Sequence, residues 1–422
     1  MNFIEWEGVK DEGVTPSDST GAVGPSRYVE LVNLNFAIYD RSTNQLSTGT
    51  LNTLAGRPET DFIFDPQVIW DPQTQRFYYA MDDTIGNFAN SLLAYGWSKT
   101  DTPTSAADFC HFTLDYPGDL FPDYPKLGDS FSWGARRGQH VRPARLRFRQ
   151  FRRHVVPQAA SRVHLQPAIR RADDQPSGSV WYADIHAHPA QSTDRPLILS
   201  DGVIVSVDPF DPGEQNFITR FNVSNGLFGP IIENPGKAIP IPTYAIPPPA
   251  DQPGSPASID TLDARLTQGV SAVDPRFPGK VAIWTQHTVL GGGGAQVRWY
   301  EVDPIGLALF QSGVATDPLL DVFNGAISPD RANNGASQAY GSNMVMGSTC
   351  RLRQNSPRSR WCRRSARAPS RPSCWFRHGL AHPELGSYPV AIQPGSPGTR
   401  DAGRLKGAAR VLLTCRGGDG TA

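Results

Sequence analysis

Four segments of this chain repeat one pattern, and that repetition constrains the fold more than any other feature. Each places small and apolar residues before a proline turn and an apolar strand after it. The copies are residues 21–25 leading to 28–32, 67–72 leading to 76–80, 271–275 leading to 280–284, and 325–329 leading, after a longer loop, to 343–346. Pro25, Pro72, Pro275 and Pro329 mark the turns. Proline presets φ in a turn and a neighbouring aspartate caps it, so each copy reads as a β-hairpin. Asp71, Asp274 and Asp330 sit at these turns. Turn chemistry accounts for them without a catalytic role.

A second hairpin follows the first. Residues 36–40 turn back to Leu46, 93–97 return at 109–114, 217–222 turn to Leu227 and Phe228, and 297–303 turn to 309–310. Joined in order, the two hairpins make a four-stranded meander, complete at 21–49, 67–114 and 270–313. Adjacent turn prolines lie 47 and 54 residues apart. The gap of 203 residues from Pro72 to Pro275 leaves room for further steps, and Pro125 fits the next one. Meanders at a period of about 40 to 50 residues are the mark of a propeller. The expected fold class is therefore all-β, a β-propeller of four-stranded blades, seven in number with six as the alternative. A pair of β-sandwiches is the structural runner-up. Packing between two neighbours would explain strands such as Ala282-Ile283-Trp284, apolar on both faces. The proline-rich segment 235–258 reads as an extended surface connection.

Charge is divided unevenly. The chain holds 40 basic and 40 acidic residues, yet 136–171 contain 11 Arg and no acid, and 349–422 contain 13 Arg, one Lys and three acids. The remainder has 15 basic against 37 acidic residues, a net −22. Such a surface disfavours nucleic acid and anionic membrane as partners. No apolar run reaches the ~18 residues of a membrane span. Residues 2–5 lack the basic and apolar regions of a signal peptide as the chain is written. Cys350, Cys362, Cys374 and Cys415 fall in the basic tail, so the acidic part has no disulfide framework.

The first basic block admits three readings: an arginine-rich nucleic-acid arm, a solvated loop, or a GC-rich gene translated out of frame. The third explains together the missing Lys, the missing acids and the abrupt return to an acidic style at Asp173. The tail from Thr349 has the same character. The expected organisation is a propeller over 1–348, interrupted at about 132–172 and left incomplete, followed by a disordered tail over 349–422. Cys374, His378 and His382 have metal-like spacing and residues 145–153 look like an RNA-binding run, but both lie in these blocks.

Asp18-Ser19-Thr20-Gly21-Ala22-Val23-Gly24-Pro25, Phe64-Asp65-Pro66-Gln67-Val68, Asp123-Tyr124-Pro125-Lys126-Leu127-Gly128, Arg265-Leu266-Thr267-Gln268 with Trp284-Thr285-Gln286-His287, and Asn324 to Arg331 resemble segments of a group of secreted bacterial propeller-like proteins. The likeness covers most of 8–130 and 172–348 and stops at the two basic blocks. It implies a propeller fold and an extracellular or periplasmic location, and it supplies no catalytic residues. The start of the chain departs from it, since an export signal is expected there.

The links between inner and outer hairpins would lie on the usual ligand face of a propeller. They carry Asn33 and Asn35, Asp82 and Asp83, and Gln286 and His287, which could ring one shallow pocket. Asp184, His186 and His188 alternate and would share one strand face, a weak candidate for a metal. Gly291 to Gly294 reads as a loose hairpin turn, without the Lys-Ser/Thr of a phosphate loop. The expected function is a monomeric extracellular binding module for glycan or protein ligands, with no cofactor. The alternative is a glycoside-cleaving propeller using Asp82 or Asp83 as acid or base.

Overall fold

The computed structural model describes residues 6, 8–10, 17–72, 74–86, 90–116, 124–128, 147–149, 188–192, 202–207, 215–225, 230–233, 235–252, 257–273, 281–329 and 344–352. The chain is all-β, with several four-stranded antiparallel sheets. It divides into two compact units, Met1–Ile185 and His186–Ala422.

The first unit opens with a sheet in the order of the chain: β1 (Thr20–Val23), β2 (Arg27–Val32), β3 (Asn35–Asp40) and β4 (Gln45–Thr50). Pro25 lies in the β1–β2 turn, closed by a 2.9 Å bond from Gly24 N to Arg27 O. The β3–β4 turn is held by Asp40, whose Oδ1 accepts from Ser42 N at 2.8 Å and Asn44 N at 3.0 Å. This is the aspartate turn chemistry expected at such a site. A short helix, α1 (Leu51–Ala55), links this sheet to the next; Thr50 caps it and Gly56 ends it at φ 63°.

The second sheet is β5 (Phe62–Asp71), β6 (Arg76–Ile85), β7 (Asn90–Ser98) and β8 (Phe109–Tyr116), again in order. Pro72 lies in the β5–β6 turn, where Thr74 Oγ1 donates to Asp71 Oδ2 at 2.7 Å. Asp71 is thus a turn residue. Alternation along β6 sends its side chains to two cores. Phe77, Tyr79 and Met81 pack with Val29, Leu31, Phe36 and Ile38 of the first sheet. Tyr78 and Ala80 pack with Leu127 of β9 (Lys126–Gly128), which pairs with β10 (Arg147–Arg149).

The second unit begins at β11 (His188–Pro189) and β12 (Gln191–Ser192). β11, β13 (Gly202–Ser206), β14 (Gln215–Asn225) and β15 (Pro230–Ile232) form one sheet, in which β16 (Lys237–Tyr244) also pairs with β14. β17 (Ala250–Asp251) pairs with β18 (Ser258–Ile259). The complete meander is β19 (Leu266–Val273), β20 (Val281–Gly291), β21 (Gly294–Asp303) and β22 (Ala308–Ala315), with β12 added in parallel to β19. β23 (Leu320–Pro329) pairs with β24 (Met344–Leu352). The hairpin turn at 291–294 is where the glycine run placed it.

β20 repeats the lesson of β6. Val281, Ile283 and Val289 enter a core with Val205, Ile218 and Ile239. Trp284, one residue on from Ile283, enters another with Val322, Ile327, Met344 and Met346. The apolar character of both faces follows from packing on both sides.

Two boundaries differ from the sequence reading. The proline-rich segment contributes a paired strand, β16, with Pro240 opposite Phe217. Lys237, Ala238, Pro240, Thr243 and Pro242 line a strand paired on one side only within its sheet, a position that tolerates a residue without N–H. The tail expected from Thr349 begins inside β24: Cys350 opposes Val322 and is buried with Trp284 and Val297. An apolar side chain at the right register carries the strand on to Leu352.

Candidate functional site

Five of the six residues expected to ring a pocket are buried, Asn35 being the exception, and most lie within strands. In the first unit, Asn33 sits in the two-residue turn between β2 and β3, where Leu34 takes φ 72°. Its main-chain N–H donates to Ser17 O at 2.8 Å. Its Nδ2 donates to Asp18 Oδ2 at 2.9 Å, and its Oδ1 accepts from Asp65 N at 2.8 Å. Asn35 is the first residue of β3, half-buried, and its Nδ2 donates to Lys10 O at 3.4 Å.

Asp82 and Asp83 are fully buried in β6, opposite Phe64 and Ile63 of β5. Being adjacent, they point to opposite faces of the sheet. Asp82 Oδ2 accepts from Tyr124 N at 2.9 Å. Asp83 Oδ2 accepts from Arg57 Nε at 2.6 Å, and the same guanidinium reaches Asp61 Oδ2 at 2.8 Å. Burial pushes the Asp83 carboxyl above its ordinary value, with Arg57 opposing that rise and Asp61 adding to it.

In the second unit, Gln286 and His287 lie in β20, both fully buried. Gln286 Nε2 donates to Thr267 Oγ1 and to Gly325 O. His287 Nδ1 is 2.7 Å from Ala264 O, and its Nε2 is 2.9 Å from the Tyr300 hydroxyl. The Tyr244 ring meets it edge-on at 4.5 Å. Burial pulls its pKa down to about 3, so the ring is neutral. A carbonyl can only accept; Nδ1 therefore carries the proton to Ala264 O, and Nε2 accepts from Tyr300.

These positions correct the expectation of solvated links. β6 and β20 have 10 and 11 residues and run straight through their polar stretches. The chain turns later, at Gly86 (φ 61°) and Gly292 (φ 59°). Most of the polar side chains find main-chain partners, which makes their burial affordable in energy.

The other candidates are quickly placed. Asp184 and His186 lie outside the described residues, as do Asp274, Asp330, Cys374, His378 and His382. His188 is buried in β11 opposite Val205. Among the described residues no three His, Cys, Asp or Glu side chains cluster as metal ligands.

Sequence reasoning missed an aromatic row on the second sheet. Trp97 and Phe112 stack with centroids 4.7 Å apart, and Tyr95 and Phe112 at 5.6 Å. Tyr95 opposes Phe112 directly across β7 and β8. Phe112 is 43% exposed and Leu114 48%, beside half-buried Tyr95 and Trp97. The alternation Leu93, Tyr95, Trp97 was the available signal; the register that adds Phe112 and Leu114 was not. Comparison with known protein families and with curated proteins gave no match for this chain.

Proposed function

We propose that the chain is an extracellular, propeller-type binding module for glycan or protein ligands, acting as a monomer. Its stacked four-stranded meanders are the blades, seven in the full ring with six as the alternative. The two-sided packing of β6 and β20 supports this reading, since a blade is sandwiched between neighbours. Among the described residues no helix is long and apolar enough to cross a membrane. The extracellular location rests on the resemblance to secreted proteins.

The observation that carries a binding role is the aromatic row of Tyr95, Trp97 and Phe112. Tyr and Trp are enriched where interfaces concentrate their binding energy. A glycan array followed by calorimetric titration tests it. Binding should weaken roughly tenfold or more in Trp97→Ala and Phe112→Ala. A glycan ligand whose affinity is unchanged in both variants would remove the row as the site, and an array without hits would turn the reading toward a protein ligand.

The glycosidase alternative is weaker on geometry. An acid and a base must flank one scissile bond. Asp82 and Asp83 are fully buried on opposite faces, one held by a main-chain N–H and the other by Arg57. Turnover of fluorogenic glycosides that is lost in Asp82→Asn would restore that alternative.

The arginine-rich segments we read as out-of-frame translation, supported by 11 Arg without an acid over 136–171. Sequencing the DNA and reading all three frames across 131–172 and from 348 tests this. An uninterrupted frame through both would end it.

A further inference from the structure

Three hydrogen bonds share one geometry. Asp65 N donates to Asn33 Oδ1 at 2.8 Å, Tyr124 N to Asp82 Oδ2 at 2.9 Å, and Asn324 N to Thr288 Oγ1 at 3.1 Å. In each the acceptor belongs to one sheet; Asp65 and Asn324 lie in the strands that open the next, and Tyr124 lies two residues before β9. All three donors adopt left-handed backbone, at φ 52°, 59° and 49°. None is glycine, so each conformation is strained and needs support from its surroundings. The next residue is Pro66, Pro125 or Gly325. In β5 and β23 the donor sits in a β-bulge, between Phe64 and Gln67 and between Phe323 and Ala326. A bulge turns a main-chain N–H out of its own ladder and re-aims it.

The residue three positions after each donor is a buried aliphatic. Val68 packs with Val29 and Leu31 of the preceding sheet, Leu127 with Tyr78 and Leu93, and Ile327 with Trp284 and Val297. The hydrogen bond therefore fixes the register at which the new strand lays its first core residue on its neighbour.

We infer that these bonds are one repeated latch, in which Asn33, Asp82 and Thr288 are positioning residues that seat each following sheet on the one before it. The acceptor chemistry varies among amide, carboxylate and hydroxyl because only an oxygen at that point is required. The donor pattern is a strained residue, then Pro or Gly, then any residue, then an aliphatic. This inference concerns how the sheets dock and is independent of what the protein binds.

Hydrogen–deuterium exchange on the full chain tests it, read at the segments containing Asp65, Tyr124 and Asn324. Asn33→Ala, Asp82→Ala and Thr288→Val should each raise exchange at their own donor segment by about tenfold or more, leaving the donor segments of the other latches at parental rates. Asp82→Asn and Thr288→Ser keep an acceptor oxygen and should retain parental protection. Unchanged protection at the donor segments would overturn the inference. So would equal loosening of all three segments in every variant, or losses in Asp82→Asn and Thr288→Ser as large as in the truncations. Should Asp82→Ala fail to fold, Thr288→Val, which keeps the side-chain shape, decides alone.

Discussion

His287 makes the second unit sensitive to acid, and the size of the effect follows from its surroundings. The ring is fully buried, with Ala264 O on one nitrogen, the Tyr300 hydroxyl on the other and the Tyr244 ring against it. Burial, with a smaller push from the charge of Arg298, lowers its pKa from 6.5 to about 3 in the folded chain. The unfolded chain therefore binds a proton that the folded chain does not between those two values. Stability rises with pH wherever the unfolded state holds more protons. The contribution is complete above 6.5 and is lost as pH falls toward about 3. Each pH unit in that window is worth ~1.4 kcal/mol. The second unit should thus lose about 2 kcal/mol on going from pH 7 to pH 5, and roughly twice that near pH 3. Urea unfolding at pH 7, 6 and 5 measures the slope, and His287→Gln supplies the non-titrating comparison. The variant should show a shallower dependence whatever its stability at pH 7. A slope identical to the parent's would refute the reasoning. Ring-labelled histidine NMR gives an independent check: His287 should not titrate between pH 7 and 4.5.

Asp83 should act in the opposite direction in the first unit. Its carboxyl is raised by burial, so its contribution is present at low pH and lost as pH rises through the raised value; Asp83→Asn should flatten that part of the urea stability profile. Gly96→Ala should be severely destabilising, since an added Cβ would lie 1.9 Å from Cys110 O of the paired strand, and a loss of about 3 kcal/mol or more in urea unfolding is expected. Leu127→Ala should cost about 2–5 kcal/mol by the same measurement, because it empties a buried position against Tyr78 and Leu93. Thr50→Ala removes the cap on α1, where the threonine side chain accepts from Thr53 N at 3.0 Å, and should cost about 1 kcal/mol.

The turns were legible because proline and aspartate carry their conformational preference in the side chain. Pro25 and Pro72 lie in hairpin turns, and Asp40 and Asp71 bond across theirs. The two-faced strands were legible because packing on both sides leaves no polar face, as at Ala282, Ile283 and Trp284. The ends of the same strands were not. Asp82-Asp83-Thr84 and Thr285-Gln286-His287 look like places where a strand stops, since polar residues are mostly exposed. Here they continue β6 and β20 in full burial. Many of their partners are main-chain groups: Tyr124 N for Asp82, Gln268 O for Thr285, Ala264 O for His287. Every residue has such groups, so no side-chain pattern announces the pairing. Position along the repeat was informative even so. Asn33, Asp82 and Gln286 fall at points on successive meanders that a repeat should bring together, and each is bonded to the segment that leads into or opens the next sheet. What converges on them is the neighbouring backbone. A buried polar residue at a fixed place in a repeat therefore has two possible partners, a ligand or the next copy of the repeat. Full burial together with a short main-chain bond decides for the next copy. On the proposed binding role, the place to test is then where side chains are open to solvent, as Phe112 and Leu114 are on the outer strand of the second sheet.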